Sequence, residues 1–420
     1  MTRRRTAAPG ASAVDPRRWP DVASLPSTSR TRTAIAELLV RRALGGLPLR
    51  VRLAGRETLG LGGPLMEVYD PHAFFRRIGA GGLIGFGESY MAGEWDARDP
   101  VGVLTALAGS AASLVPAPLQ RLRTLWEMKK PAAQRNIPEG ARGNFSHHCD
   151  LSNDLCSLFL DETLSYSSAL FRGFPADRSL LPAAQHRNID RLLDLAQVGP
   201  GTQLLEMGTG RGELAIRAAG RGARVLTVTL SRQQQELAQE RIRAAGLENR
   251  VTVLLRDYRR VLGQYDAIVS VETMEAVGEE FWPDYFMTLD RLLAPGGRIA
   301  LQGITTPHDR MLASRTTFTW IHKYICPGGM LPSVEAIEQV TAERTGLRVL
   351  RRDAFGAHYA ETLRLWRERF TERAADVGAL GFDETFRRMW TFYLAYSEAG
   401  FRCGRLDVQQ LLLAKEGTPR

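Results

Sequence analysis

The sequence predicts an α/β protein, a mostly parallel sheet with helices on both faces, preceded by a small α+β domain. Three observations carry this reading. Short apolar runs alternate with helix-patterned runs between about residues 200 and 305. A glycine-rich turn, LLEMGTGRGELA at 204–215, joins one such run to the next helix. Composition shifts near residue 130, where KKPAAQRNIPEGARGN reads as a linker.

Residues 1–33 are rich in Arg, Pro, Ser and Ala without apolar period, and a disordered basic tail is expected. TAIAELLVRRAL then predicts a short helix, and PLRVRLA and PLMEVYD predict strands. With HAFFRRIGAGGLIGFGESYMAGEWD they form an accessory domain over 34–130. In the main domain, 131–420, TQLLEM is a strand and ELAIRAAGRG a helix closing on glycine. ARVLTVTL is a strand again, and SRQQQELAQERIRAAG is a helix with Ser231 as its N-cap. VTVLLRDY, YDAIVSVE and GRIALQGIT supply three more strands, and such βαβ units make a parallel sheet. Aromatics and a PGG turn interrupt this rhythm at about 305–345, as an inserted cap would.

The 420 residues suffice for more than one domain, and 44% hydrophobic with 24% charged residues is ordinary for a soluble protein. No run approaches the roughly 18 apolar residues of a membrane span. The arginine-rich start lacks the apolar core of a secretory signal. Cys149, Cys156, Cys326 and Cys403 are too few and scattered for a disulfide framework, so a cytoplasmic setting is expected. His147, His148, Cys149 and Cys156 match no zinc spacing, and no metal is expected. The net charge of +9 calls for an acidic partner, nucleic acid or anionic membrane.

The turn itself narrows the ligand. Glu213 stands where a dinucleotide fingerprint needs its third glycine, and the next strand ends in Thr229-Leu230-Ser231 instead of an acid. NAD is disfavoured, and no Gly-Lys-Ser/Thr follows to make a Walker loop. Glu206 completes E-x-G-x-G-x-G, the pattern of class I S-adenosylmethionine-dependent methyltransferases. There Gly208, Gly210 and Gly212 let backbone approach the methionine part, and the strand-end carboxylate attracts its ammonium. Asp257, ending VTVLLRDY, falls where such folds put an acid beside adenine, and equally suits a turn or cap.

Longer blocks go further. CDLSNDLCSLFLDETLSYSSALF (149–171), VTLSRQQ (228–234), SVETMEAVG (270–278), ALQGIT (300–305), WIHKYICPGGMLPS (320–333), GAHYAETLRLWRERF (356–370) and WTFYLAYSEAGFRCG (390–404), with GESYMAGEWD upstream, occur in order. The chain from about 85 to 410 thus resembles the cyclopropane-fatty-acyl-phospholipid synthases and their mycolic acid cyclopropane and fatty-acid methyltransferase relatives. The resemblance implies a seven-stranded class I methyltransferase sheet with a lipid-binding cap, and methyl transfer from S-adenosylmethionine to the cis double bond of a phospholipid acyl chain. It implies cofactor contacts at Tyr166, Ser167, Thr229, Leu230, Ser231 and Gln234 beside the three glycines. It also implies bicarbonate as the base, held by groups matching Glu275, Tyr359, Ser168, Gln302 and Ile304.

Attack by an alkene leaves a carbocation, so an apolar tunnel is needed; Phe318, Trp320, Tyr324, Tyr359 and Trp366 are candidate walls. The base site departs from the family. Its cysteine is Ser168, its histidine is Gln302, E-H-V-G reads Glu275-Ala276-Val277-Gly278, and H-Y-D reads His148-Cys149-Asp150. Ser168 and Gln302 still carry donors for an anion. With that site retuned, two fates of the cation stay open: closure to a cyclopropane, or hydride shift and proton loss to a 10-methylene branch that a downstream reductase saturates. Small-molecule N-methyltransferases share the fold and are the alternative. The positive charge is then read as peripheral docking to the inner face of an anionic membrane, not as nucleic-acid binding. The accessory domain is expected to assist lipid access or homodimer packing.

Overall fold

The computed structural model describes residues 13–110 and 152–417. The 111–151 stretch, with the proposed linker and His147, His148, Cys149 and Asp150, lies outside the described residues. The chain divides into two compact units.

The first unit comprises 1–129, 317–323 and 366–403. Strands β1 (Arg50–Leu53), β2 (Glu57–Leu59), β3 (Leu65–Val68) and β4 (Trp95–Asp96) form a sheet ordered β2-β1-β3-β4. Two expectations are corrected here. The tail is structured within 13–33: Pro20–Ala23 make a helical turn, and a helix capped by Ser29 runs Arg30–Gly45. The cause is Arg77, whose fully buried guanidinium pairs with Glu94 at 2.9 Å and binds the carbonyls of Asp21 and Val22. A buried charge is tolerated only when all its donors are met, and the tail meets them. Second, the leading segment of this unit ends at 129, close to the expected 130, but two later segments join it. Helix Glu384–Arg402 brings Arg388 to Asp96 at 2.8 Å and to the carbonyls of Tyr90 and Trp95. Its Phe392 joins an aromatic cluster with Phe86, Tyr90, Trp95 and Trp320.

The second unit comprises 130–316, 324–365 and 404–420. Its sheet contains β5 (Gln203–Met207), β6 (Arg224–Thr229), β7 (Val251–Leu255), β8 (Tyr265–Val271), β9 (Leu293–Thr305), β10 (Leu347–Ala354) and β11 (Asp407–Lys415). The order is β10-β11-β9-β8-β5-β6-β7, parallel except for β11, which runs antiparallel to both neighbours. Alternate residues feed opposite faces. Leu205, Ile268 and Leu301 pack with helix Trp282–Leu292, while Leu204, Val269 and Ala300 pack with helices Leu181–Leu195 and Glu213–Gly220. The interrupting segment is shorter than 305–345: it holds the short helices His308–Ser314 and Trp320–Tyr324, whereas Val334–Arg344 is a regular sheet-flanking helix buried through Ala336 and Ile337.

Candidate functional site: a glycine cradle and a carboxylate pair

Strand β5 delivers Glu206 to the sheet's carboxyl edge and ends in the glycine turn. Amides of Gly208 and Thr209 both donate to the Val228 carbonyl, at 3.0 and 3.1 Å, which bends the chain back over β6. Gly208 sits at φ 93°, and a Cβ there would lie 2.7 Å from the Thr273 methyl. Only glycine fits that close approach. Glu213, the residue that broke the dinucleotide pattern, is paired with His186 and Arg241 at 2.9 and 2.7 Å. The residues between the glycines are held locally: Thr209 pairs with Thr227 at 2.8 Å, and Arg211 is buried against the Cys156 sulfur.

The turn opens on a cleft lined among others by Met207, Gly208, Thr229, Leu230, Asp257, Tyr258 and Thr273. Ser231 caps helix Arg232–Ala244 through the Gln234 amide, as expected, and Thr229 donates to the Gln234 side chain at 2.8 Å. Asp257 is both cap and lining: it accepts from the Arg259 amide and pairs with the Arg259 guanidinium at 2.6 Å. Burial alone would raise its carboxyl, but the bonds and charge of Arg259 outweigh it and hold it below the usual range. Tyr166 packs edge-on against Phe159.

Glu206 is buried, with Oε2 lacking any hydrogen-bond partner, and desolvation pushes it up to about 8. A buried acid with one unpartnered oxygen beside a glycine cradle fits the ammonium of S-adenosylmethionine. These residues therefore suit the cofactor, which supplies an electrophilic methyl group when bound.

Next to this cleft lies a second cluster. Glu272 adopts φ 50° at the end of β8. Its Oε1 accepts from the Ser167 hydroxyl at 2.6 Å and from Gln302 Nε2 at 2.9 Å. Its Oε2 accepts from the Tyr359 hydroxyl at 2.7 Å. The Ser168 amide also donates to this carboxylate. Desolvation raises the Glu272 carboxyl, and these donors oppose that rise. Gln302 is itself locked: its Oε1 accepts from Asn188 and Gln410, both at 3.0 Å, so its amide nitrogen faces Glu272 and Ser167.

Glu275, on the short helix Met274–Val277, is buried. Its Oε1 accepts from the Ile304 amide, and its Oε2 has no partner. Burial first, then the charge of Glu272, push it up to about 8. The donors on Glu272 favour its charged form, whereas burial and the neighbouring Glu272 disfavour the charged form of Glu275.

Of the sequence-derived residues, Glu275, Tyr359, Gln302, Ile304, Ser167 and Ser168 come together here. Two roles change. The Ser168 hydroxyl donates to the Ala169 carbonyl at 3.0 Å, so only its backbone reaches the acid. Ser167, expected at the cofactor, spends its hydroxyl on Glu272. Phe318, Trp320 and Trp366 belong to the first unit and Tyr324 to the second. Glu272 itself was not foreseen: it stands three residues before Glu275 in SVETMEAVG, and no family position pointed to it. Bicarbonate does not fit. Of the groups expected to hold it, Tyr359, Gln302 and the Ser168 amide already donate to Glu272 and the Ile304 amide to Glu275, and a further anion would lie against these carboxyls.

The comparisons agree with this geometry. The mycolic acid cyclopropane synthetase family matches residues 138–411. The chain is 52% identical over 417 residues to tuberculostearic acid methyltransferase UfaA1 of Mycobacterium tuberculosis, spanning 97% of this chain and 98% of that one. It is 34% identical over 347 residues to the cyclopropane-fatty-acyl-phospholipid synthase of Escherichia coli, spanning 81% and 86%. The structure of mycolic acid cyclopropane synthase CmaA1 with SAH and CTAB superposes at a TM-score of 0.60 and 30% identity, covering 68% of this chain and 99% of that one. With its cofactor cradle intact, this chain belongs to the mycolic acid cyclopropane synthetase family and is an S-adenosylmethionine-dependent methyltransferase.

Proposed function

We propose that the protein methylates the cis double bond of an oleoyl-type chain in a phospholipid and releases a 10-methylene-branched product. The observation that carries the branched product is the 52% identity, end to end, with a tuberculostearic acid methyltransferase, since tuberculostearic acid is a methyl-branched acid. The rebuilt base site agrees, because the fate of a carbocation is decided by where its proton can go.

Each group has a task. Glu206 anchors the cofactor's ammonium, and the turn and Thr229 to Gln234 seat its remainder. Asp257, fixed by Arg259, meets the nucleoside. Tyr359, Gln302 and Ser167 orient the base site. Peripheral contact with an anionic membrane follows from the +9 charge. The methylene product calls for a separate reductase to saturate it.

The test is expression in a host rich in oleoyl phospholipids, followed by chromatography and mass spectrometry of the fatty acid methyl esters. The methylene branch and the cyclopropane have equal mass, so hydrogenation under conditions that spare the ring separates them. A hydrogenatable branch is the expected result. Cyclopropane alone overturns branching, and no methylated chain overturns the acyl substrate.

A further inference from the structure

We infer that Glu272 is the catalytic base, a carboxylate supplied by the chain itself in the place of a diffusible anion, so that the reaction runs without bicarbonate. This rests on the acyl-methyltransferase reading above.

Two of the side chains expected to clasp an anion, Gln302 and Tyr359, converge on another side chain, joined by Ser167. Ser167, Gln302 and Tyr359 donate to Glu272 at 2.6, 2.9 and 2.7 Å, and the Ser168 amide joins them. The donors are buried, whereas Glu272 keeps part of its surface exposed. The next residue, Thr273, lines the cofactor cleft. The backbone is committed to this aim: Glu272 holds φ 50°, a left-handed conformation uncommon for non-glycine residues and concentrated at functional sites. A surface acid serving only as structure needs neither such a backbone nor converging donors.

The proton can be followed. The alkene π pair becomes the new carbon–carbon bond to the transferred methyl as the methyl–sulfur bond of the sulfonium breaks and its pair stays on the departing thioether sulfur, leaving a cation on the neighbouring carbon. A hydride shift moves that cation to the methylated carbon. A methyl C–H then breaks; its electron pair becomes the π bond between the chain carbon and the methylene branch, and the proton goes to the Glu272 carboxylate. Glu272 becomes a neutral acid that must donate. Tyr359 and Ser167 can receive that bond, because each hydroxyl turns from donor to acceptor by rotating about its C–O bond. Solvent later takes the proton from the exposed side.

The full chain would be assayed with S-adenosylmethionine and dioleoylphosphatidylglycerol vesicles in carbon-dioxide-depleted buffer, with and without added bicarbonate. Wild type should change less than about twofold on addition, while Glu272→Gln and Glu272→Gly each lose about 100-fold or more. Glycine suits the left-handed backbone and frees the donors, so Glu272→Gly alone should regain about tenfold on adding bicarbonate or formate. Calorimetric binding of S-adenosylmethionine confirms that both variants are folded. A wild type that depends on bicarbonate, a Glu272→Gln protein of full activity, or an unrescued Glu272→Gly protein each overturns the inference. A wild type that binds the cofactor but methylates no oleoyl chain overturns the acyl-methyltransferase reading, and the inference with it.

Discussion

The two halves of the site are built by different rules. The cofactor half is mostly backbone: Gly208 and Thr209 amides on one carbonyl, a capped helix, a single buried acid. The base half is mostly side chains, drawn from five separated stretches around residues 167, 188, 272, 302 and 359. Backbone constraints leave spacing in a sequence, because only glycine satisfies them. A side-chain network leaves none, because its members meet only after folding. The cofactor half is thereby held to one solution, while the base half can be rewired by single substitutions.

This contrast can be broken from either side. The largest effect is expected for Gly208→Val, where a branched side chain meets the Thr273 methyl at a backbone angle that disfavours it. Calorimetry should detect no S-adenosylmethionine binding; unchanged affinity would remove the turn from the site. Tyr359→Phe should slow turnover about 10- to 100-fold while cofactor affinity stays within about twofold. A matching loss in both would show that the two halves are not separable. Asn188→Ala, which removes one donor to the Gln302 oxygen and one acceptor of Gln410, should cost about three- to tenfold in turnover, Gln410 still donating to Gln302. An effect as large as that of Tyr359→Phe would place Asn188 among the primary groups.

The smallest effect concerns pH. Glu206 and Glu275 are held near 8 by burial, against an ordinary 4.5. Between those values the folded chain keeps protons that the unfolded chain has released. Their contribution to stability is complete below about 4.5 and is lost as pH rises through about 8. The melting temperature of the cofactor-free protein should fall from pH 6 to 9, and Glu206→Gln should flatten that fall by a few degrees, about the scale of one such group. A variant curve parallel to wild type would mean that Glu206 is ionised throughout.

The sequence made the sheet's first five strands readable because each is a short apolar run bounded by turn residues. It hid β10, whose LRVLRRDA is half arginine and aspartate on an edge, and β11, which follows a long helix instead of a βα rhythm. At the site, Glu206, the glycines and Ser231 were legible from local chemistry alone. Glu275, Tyr359 and Gln302 needed a family to point at them. Glu272 was visible to neither, since an acid after a strand looks like any cap, and the family's base is not a residue. The buried Arg77 that orders residues 13–33 was hidden for the same reason, its partners lying 17 to 56 positions away.

The interleaved path of the chain also makes both units depend on one late stretch. The first unit includes Trp320 and the helix that carries Phe392 and Arg388, and the second places its last strand, β11, between β9 and β10. Neither unit is therefore complete without residues 384–415. Deleting that stretch should unmake both units at once, the first through loss of the helix that carries Arg388 and the second through loss of β11.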